Sequence, residues 1–298
     1  MPAKQNLTKS ANVDVAAREI DFVSRFQSNW EALRDIMGVM RPIRKPNGTV
    51  LKSKVASVTL QTNAVGEGEE IPYSLAAVDE VEYDTITIEK YAKAVSIEAI
   101  ANHGYDAAVA MTDEAFLNQL QGNIMDRFYT YLLTGTLTHT WDSFQKALAM
   151  ARGTVLNKFK AMQKSVTDVV GFVNILDFYN YLGDATVSVQ TQFGLTYIQN
   201  FMGYRVIFLC SDNEIPSGKV VATPRENIVM YYIDPSDSEF ARAGLEFTTQ
   251  GETPLLGFHT QGNYQTAVSE CFSILGVTLF AEYLDGIAVM DTGSVVSL

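Results

Sequence analysis

The chain has 298 residues, of which 47% are hydrophobic and 19% charged, and its formal net charge is −12. This composition is typical of a folded globular protein and excludes a largely disordered or collagen-like chain, while the acidic balance argues against a protein that binds nucleic acid with its whole surface. No apolar stretch reaches the roughly 18–20 residues that span a bilayer, and the amino terminus lacks the apolar core of a signal peptide, so we expect a soluble, cytosolic product.

The charge is distributed unevenly along the chain. Residues 1–60 contain ten Lys or Arg and five acidic residues, a net charge of +5, whereas the remaining 238 residues contain 12 and 29, a net charge of −17. Two interpretations stay open: a solvated basic tail, or a basic arm that lies on an acidic surface of another copy or near nucleic acid.

Apolar residues near the amino terminus recur at alternating steps of three and four, which predicts an amphipathic helix. They are Val23, Phe26, Trp30, Leu33, Met37 and Met40. We expect the helix to stop at Arg41-Pro42, because proline disfavours helical backbone in the residue before it. The apolar stripe is narrow, so it fits either the core of its own subunit or the surface of a neighbouring copy.

The segment that follows predicts a long β-hairpin. Asn47-Gly48 is typical of a tight turn, residues 50–60 are strand-like, residues 64–72 form a tip rich in glycine and acid, and a strand is predicted to return over residues 83–94. A hairpin with so few bulky apolar residues is not stable alone. We therefore expect it to pack on something outside its own domain.

The longest predicted helix covers residues 106–133. Apolar side chains recur on one face every three or four residues, and they are Phe116, Leu120, Ile124, Phe128 and Tyr131. A helix of this length is about 40 Å long, which suits a structural spine. We expect Gly135 to end it as a left-handed cap.

The rest of the chain alternates between short helices and strands. Helices are predicted over residues 141–152 and 175–182, and strands over residues 168–174, 204–210, 219–223 and 227–233. The tail is predicted to contain strand-like residues 244–249, a glycine-rich bend through Gly251, Gly257 and Gly262, and strands over residues 266–280 and 287–290. This order predicts an α+β protein whose central part is an α/β region.

No familiar catalytic or phosphate-binding motif is present. The histidines are isolated from other metal ligands, and the cysteines lie in apolar strand contexts that favour buried, inert thiols. These residues are His103, His139, His259, Cys210 and Cys271. We accordingly expect no catalytic residue, no metal site and no cofactor.

The acidic cluster at the hairpin tip is the best remaining candidate for a metal or acid–base site. It consists of Glu67, Glu69 and Glu70. Catalytic carboxylates need rigid placement, which a glycine-rich tip does not provide. The cluster therefore favours a solvated loop or a contact with a basic neighbour.

The order of these segments resembles that of a known family. A basic helical arm precedes the hairpin with its tip AVGEGEEIPYS, then come the return segment DTITIEKYAKAVSIEAIAN, the helix ending YTYLLTGT, and an α/β region with DVVGFVNILDFYNYL and GYRVIFL. In this order the chain resembles the tailed-bacteriophage major capsid proteins of the HK-ninety-seven fold.

The resemblance implies an α+β fold with four parts. They are an N-terminal arm (1–45), an extended loop (46–95), a peripheral domain with the spine helix (96–139 and 240–281) and an axial domain (140–239 and 282–298). It also implies a structural function: copies form hexamers and pentamers that close into an icosahedral shell around double-stranded DNA. The expected location is the virion capsid, assembled in the host bacterial cytoplasm.

The implied partners are other copies of the chain, a separate scaffolding protein, a portal protein and the packaged DNA. The expected assembly contacts are Phe26, Trp30, Leu33, Arg41, Arg44, Lys45, Lys52, Lys54, Glu67, Glu69 and Glu70. Two alternatives stay open. One is an encapsulin-like nanocompartment shell of the same fold, which the basic arm disfavours, and the other is an enzyme with an unrecognised site.

Overall fold

The structure is a computed structural model that describes eight ranges of the chain: residues 36–61, 66–67, 70–166, 168–183, 190–192, 195–199, 201–249 and 254–293. Sixteen strands are present in these ranges, and they form four sheets. In chain order the strands are β1 (Arg41–Arg44), β2 (Val50–Thr59), β3 (Leu75–Thr85), β4 (Glu89–Ser96), β5 (Leu137–Trp141), β6 (Val169–Asn174), β7 (Gln190–Gln192), β8 (Leu195–Gln199), β9 (Val206–Cys210), β10 (Lys219–Pro224), β11 (Ile228–Tyr232), β12 (Thr248–Thr249), β13 (Leu256–Asn263), β14 (Val268–Leu275), β15 (Val277–Ala281) and β16 (Ala288–Thr292).

The described ranges also contain five α-helices. They are α1 (Ile97–His103), α2 (Met111–Leu132), α3 (Phe144–Ala161), α4 (Ile175–Gly183) and α5 (Ser238–Arg242). A π-helical turn, Asp106–Ala110, leads directly into α2, so the predicted long helix is confirmed with a distorted first turn. The helix predicted over residues 141–152 is misplaced: the chain first forms β5, and α3 then starts at Phe144 and continues for 18 residues.

A seven-stranded mixed sheet, in the order β5-β16-β10-β6-β9-β8-β7, forms the largest layer. Its central strand β6 is buried at every position. Phe172 on one face of β6 packs with Phe128 of α2, at 5.5 Å between ring centroids, while Val169 and Val173 share a cluster with α3. Because helices cover both faces, β6 is apolar up to Asn174, and such a continuous apolar run is predictable from the sequence.

The four-stranded antiparallel sheet β12-β13-β14-β4 lies beside α2. The predicted glycine-rich bend is wrong, because Gly257 and Gly262 lie inside β13. A Cβ on Gly257 would lie 2.4 Å from Pro235 Cβ, so this glycine permits close packing of the chain rather than a turn. The strand predicted over residues 266–280 is divided at Gly276 into β14 and β15, which belong to different sheets.

The three-stranded sheet β1-β11-β15 joins the amino-terminal part to the body. β1 runs parallel to β11, and Ile36 and Met40 just before it are buried in the main core. Helical backbone ends at Met37, earlier than expected, and Arg41 already belongs to β1. The rest of the predicted helical stripe, from Val23 to Leu33, lies outside the described residues.

The hairpin strands β2 and β3 form a two-stranded sheet of their own. The single return strand predicted over residues 83–94 is wrong, because β3 ends at Thr85 and β4 starts at Glu89. Between them Ile86 is fully buried and its amide donates to the Thr49 carbonyl at 3.1 Å. This buried junction interrupts the strand, and β4 then pairs with β14 in another sheet.

The helix α2 ends without the predicted glycine cap. Leu133 is the C-cap residue, and Gly135 has no left-handed backbone. A Cβ on Gly135 would lie 2.6 Å from Ile287 Cγ2 and 2.7 Å from the Ile287 carbonyl oxygen. Gly135 is therefore placed where the chain passes closely over the segment before β16.

Candidate assembly surfaces

The basic residues that follow the arm have carboxylate partners within their own subunit. Arg41 Nη2 lies 3.0 Å from Glu282 Oε2, and Arg44 lies 3.2 Å from Asp234 and 2.8 Å from Asp237. The pKa of Asp237 is lowered, first by the hydrogen bond that its carboxylate accepts from the Glu239 amide at the start of α5 and then by Arg44. Both arginines are about half exposed. These pairs hold β1 on the body and leave one side of each guanidinium open to another molecule.

Lys45 extends this anchor through its backbone and its side chain. Its amide donates to the Tyr232 carbonyl at 2.8 Å, and its Nζ lies 5.7 Å from the centroid of the Tyr231 ring. A cation over an aromatic face is attracted by the ring quadrupole. The chain therefore leaves β1 in a defined direction before it enters the hairpin.

The hairpin carries exposed apolar side chains that no other described part of the chain covers. The exposed side chains are Val58, Leu60, Ile71, Tyr73, Leu75 and Val78, each at least 60% exposed. Val58 lies opposite Ala76 in the strand register. Exposed apolar groups clustered on one extended element mark an interaction surface more often than a solvated one.

Charged residues border this apolar part of the hairpin. Lys52 Nζ lies 2.6 Å from Glu80 Oε1 across the two strands. Lys54 stands opposite Glu80 in the backbone register, but its side chain is outside the described part of the chain. At the tip Glu67 and Glu70 are exposed, while Glu69 is outside the described residues. Within the described ranges no three metal-ligating side chains come together.

A clamp that the sequence analysis missed ties the base of the hairpin to α2. Both carboxylate oxygens of Glu89 accept hydrogen bonds from Arg127, at 2.8 and 2.6 Å, and the Tyr91 hydroxyl donates to Glu89 at 2.5 Å. The Arg127 hydrogen bonds lower the pKa of Glu89, and partial burial opposes them. We call these three residues the Glu89 clamp. Bidentate pairs of this kind set geometry as well as energy.

A second charged contact lies further along β4, and here the strand supplies the cation and α2 supplies the anion. Lys93 Nζ donates to the Thr112 hydroxyl at 2.6 Å and contacts the Asp113 carboxylate, and the Thr112 hydroxyl donates to the Ala108 carbonyl of the π-helical turn at 2.7 Å. Glu89, Tyr91 and Lys93 alternate along the strand and thus share the face toward α2. That alternation was the only signal in the sequence for these contacts.

The opposite face of the same sheet borders an apolar groove of about 480 Å³. Its floor comes from the sheet and its wall from the chain at and after α5. The apolar lining residues are Ile88, Phe240, Leu245, Phe247, Phe272 and Ile274, and we call this cavity the sheet groove. Lys90, opposite Ile274 in the register, stands at its border.

A buried carboxylate outside these surfaces has structural partners. Asp177 accepts hydrogen bonds from the Ser217 hydroxyl at 2.7 Å and the Gly218 amide at 2.6 Å, which fixes the turn before β10. Cys210 and Cys271 are buried thiols, as predicted, and burial raises the pKa of both. A raised thiol pKa disfavours the reactive thiolate.

Comparison with known proteins decides the fold. No protein-family model matches the sequence, and no curated protein matches it. The capsid protein of cyanophage P-SCSP1u superposes with a TM-score of 0.61 at 9% identity, covering 94% of this chain and 92% of that one. The mature capsid protein of bacteriophage PhiM1 gives 0.59 at 9% identity, over 95% and 92% of the two chains.

The chain has the HK-ninety-seven fold. An encapsulin from Synechococcus elongatus PCC 7942 shares it, with a TM-score of 0.51 at 14% identity over 95% of this chain and 93% of that one. The predicted α+β fold is thus confirmed along nearly the whole chain. No helix in the described ranges is long and apolar enough to cross a membrane.

Proposed function

We propose that this protein is the major capsid protein of a tailed bacteriophage, which assembles through hexamers and pentamers into an icosahedral head around double-stranded DNA. The supporting observation is the HK-ninety-seven fold across nearly the whole chain, together with an extended hairpin whose apolar side chains need a partner. Its role is structural and not catalytic. In this proposal, copies of a single chain form the wall of the shell and also make the contacts that join its subunits.

The parts of the fold have separate tasks in this proposal. Residues 1–45 are the arm and residues 46–95 the extended loop, although the pairing of β4 with β14 favours an end of the projecting hairpin at Thr85. The peripheral domain (96–139 and 240–281) contains α2 and the four-stranded sheet. The axial domain (140–239 and 282–298) contains the seven-stranded sheet and meets its copies around each capsomer axis.

The other partners follow from the same function. A shell that packages DNA needs a portal, and a separate scaffolding protein would direct its assembly. The positive charge of residues 1–60 suits the acidic body of another copy or the packaged DNA. The same fold in an encapsulin supports the second candidate, a nanocompartment that encloses protein instead of DNA.

Electron microscopy of the purified protein tests the proposal. We expect closed shells or capsomers, and particles from infected cells that contain DNA. Shells that contain only a cargo protein would favour the nanocompartment, and a protein that stays monomeric at all concentrations would contradict both. Deletion of residues 55–80 should leave a folded subunit that forms no closed shells, because among the described strands β2 and β3 pair only with each other. Normal particles from this variant would show that the hairpin is not an assembly element.

The arm helix has a test of its own. If Phe26, Trp30 and Leu33 contact a neighbouring copy, Trp30→Ala should lower the assembly yield and leave the melting temperature of the unassembled subunit nearly unchanged. A buried interfacial aromatic costs about 2 kcal/mol or more on truncation. A large fall in the subunit's melting temperature would instead place the stripe in its own core.

A further inference from the structure

We infer that the solvent-facing side of α3 lies on the inner surface of the shell and binds the phosphate backbone of the packaged DNA. This inference rests on the proposed capsid function and names the surface that meets the DNA. It follows from the charges of α3, from the shape of its exposed face and from the polar character of that face.

The helix α3 is a basic segment in an acidic protein. Its 18 residues include four basic side chains and no acidic one, whereas the whole chain has a net charge of −12. The basic residues are Lys146, Arg152, Lys158 and Lys160. The neighbouring helix α4 contains a single carboxylate, Asp177, which is buried and accepts hydrogen bonds from the turn before β10. The two helices therefore present only positive charge on their solvent side.

The half-buried Arg152 has an unused capacity to bind an anion. Neither Arg152 nor Lys160 forms an ion pair with a carboxylate in the described ranges. The Arg152 Nε is buried and has no hydrogen-bond acceptor among the described residues. A Cβ on Gly203 would lie 2.9 Å from the Arg152 Cζ, so the guanidinium is held against the chain before β9. A phosphate oxygen would supply the acceptor and the opposite charge together.

The usual roles of cations on a helix do not account for all four residues. Lys158 and Lys160 lie in the last turn, where they favour the helix dipole, but Lys146 lies in the first turn and Arg152 in the middle. Lys146 and Lys158 each have a carboxylate partner at 3.0 Å, but both pairs are substantially exposed. Exposed pairs of this kind are weak, so both lysines can turn to a polyanion.

A glycine lies at the centre of the exposed face of α3. Lys146, Gly153 and Lys160 follow at steps of seven residues, which are about two helical turns, and all three are exposed. A Cβ on Gly153 would meet nothing within 4 Å, and its backbone has no positive φ. Glycine is a poor residue inside a helix. Nothing in the subunit requires it here, whereas close approach of another molecule does.

The row of exposed residues fits the length scale of a DNA backbone. With a rise of about 1.5 Å per residue, Lys146 and Lys160 stand roughly 21 Å apart along the helix axis. A DNA duplex carries one charge per 1.7 Å or so of its axis, which gives about 12 phosphates over the same length. Both lysines can therefore reach phosphates while the duplex lies close to Gly153.

The exposed face suits DNA better than another protein surface. Ala149, Gly153 and Asn157 lie between the lysines, and Met150, at 38% exposure, is the large apolar residue of α3 that reaches solvent. The centre of a protein interface is usually apolar and rich in aromatic residues. Contacts to phosphate need cations and small or polar groups that allow close approach. The face of α3 has the second character.

Binding of a fluorescent DNA duplex of about 20 base pairs to the unassembled full-length subunit tests the contact. The Lys146→Gln/Lys160→Gln variant should bind about tenfold or more weakly at about 50 mM salt. The slope of log K against log salt should fall by roughly 1.8, because each phosphate contact contributes about 0.9. As a matched control, Lys90→Gln/Arg242→Gln removes the same charge from exposed residues outside α3. An equal loss in the two double variants would overturn the α3 site.

A variant that keeps every charge tests the shape of the face. Gly153→Phe fills the space between the two lysines and should weaken DNA binding. Its melting temperature should not fall below that of wild type, because phenylalanine is a better helix former than glycine and the site is open. Wild-type DNA affinity in this variant would contradict a close approach of the duplex to α3.

Lysine acetylation of intact particles, mapped by mass spectrometry, locates the face in the shell. Lys146 and Lys160 should lose reactivity in DNA-filled heads relative to emptied heads. Equal reactivity in both would overturn the inference, while the capsid function would stand. If Lys146→Gln/Lys160→Gln binds DNA as wild type does but forms no shells, α3 contacts another subunit and the inference is wrong. If the wild-type protein forms no shells around DNA, the proposed function fails and the inference fails with it.

Discussion

The Glu89 clamp allows a quantitative prediction about the base of the hairpin. Arg127 binds both oxygens of Glu89, and this contact joins the first residue of β4 to the spine helix 38 positions later. The perturbations are Glu89→Gln, Arg127→Gln and the double variant. Glu89→Gln keeps the size of the side chain, Arg127→Gln shortens it, and each removes one charge, so the cycle measures the coupling between the two groups.

The expected coupling follows from the exposure of the pair. Hydrogen bonds to charged groups contribute about 1.5–3 kcal/mol when buried, and fully exposed pairs contribute about 0.2–1 kcal/mol. The side chains of Arg127 and Glu89 are 36% and 38% exposed, so screening by solvent reduces the upper value. We expect a coupling of about 1 kcal/mol, which corresponds to a fall in melting temperature of about 2 °C in a chain of this size.

The pH dependence has a defined sign. The pKa of Glu89 is lowered in the folded protein, chiefly by the Arg127 hydrogen bonds. The stabilisation is therefore present above the ordinary glutamate pKa of about 4.3 and is lost as the pH falls through the lower folded value. In the Glu89→Gln variant this part of the pH dependence should be absent.

Urea unfolding of the four proteins at pH 7 and pH 3 measures the free energies. The exposed pair between Asp142, just before α3, and Lys146 in its first turn serves as a control, and we expect its coupling to be weaker than that of Glu89–Arg127. A coupling for Glu89–Arg127 no larger than that of the control, or one that is unchanged at pH 3, would refute the reasoning.

Three further predictions concern other parts of the fold. Gly135→Ala should lower the free energy of unfolding by about 1–3 kcal/mol in calorimetry, because the new Cβ would collide with Ile287. Asp177→Ala should cost about 1–3 kcal/mol or more in the same measurement, since the buried Gly218 amide loses its acceptor. Changing three basic residues to glutamine should slow assembly in light scattering at low salt, because the subunit becomes more acidic and copies repel one another more strongly. The rate should be unchanged at 1 M salt, where screening acts within about 3 Å. These residues are Arg41, Arg44 and Lys45. The packing arguments would be contradicted if Gly135→Ala or Asp177→Ala unfolded with the wild-type free energy. The charge argument would be contradicted if the triple variant assembled at the wild-type rate at low salt.

The sequence by itself determined the elements whose side chains bury in a regular period. Leu120, Ile124 and Phe128 recur at helical spacing and lie in the core, so α2 was predictable. The strand β6 was predictable because both of its faces are covered and every residue before Asn174 is apolar. The exposed tip of the hairpin was also predictable, because it depends on residue types within a short segment.

Only the tertiary structure decided which strands share a sheet and what each glycine does. Gly135 and Gly257 look like local caps or turns, but the structure places them where two distant segments pass too closely for a Cβ. The clamp between Glu89 and Arg127 and the sheet groove likewise depend on segments that are far apart in the chain. The regular spacing of apolar residues in a segment shows only that one face of its helix or strand is buried. The identity of the segment that buries it depends on long-range packing, which no window of sequence contains.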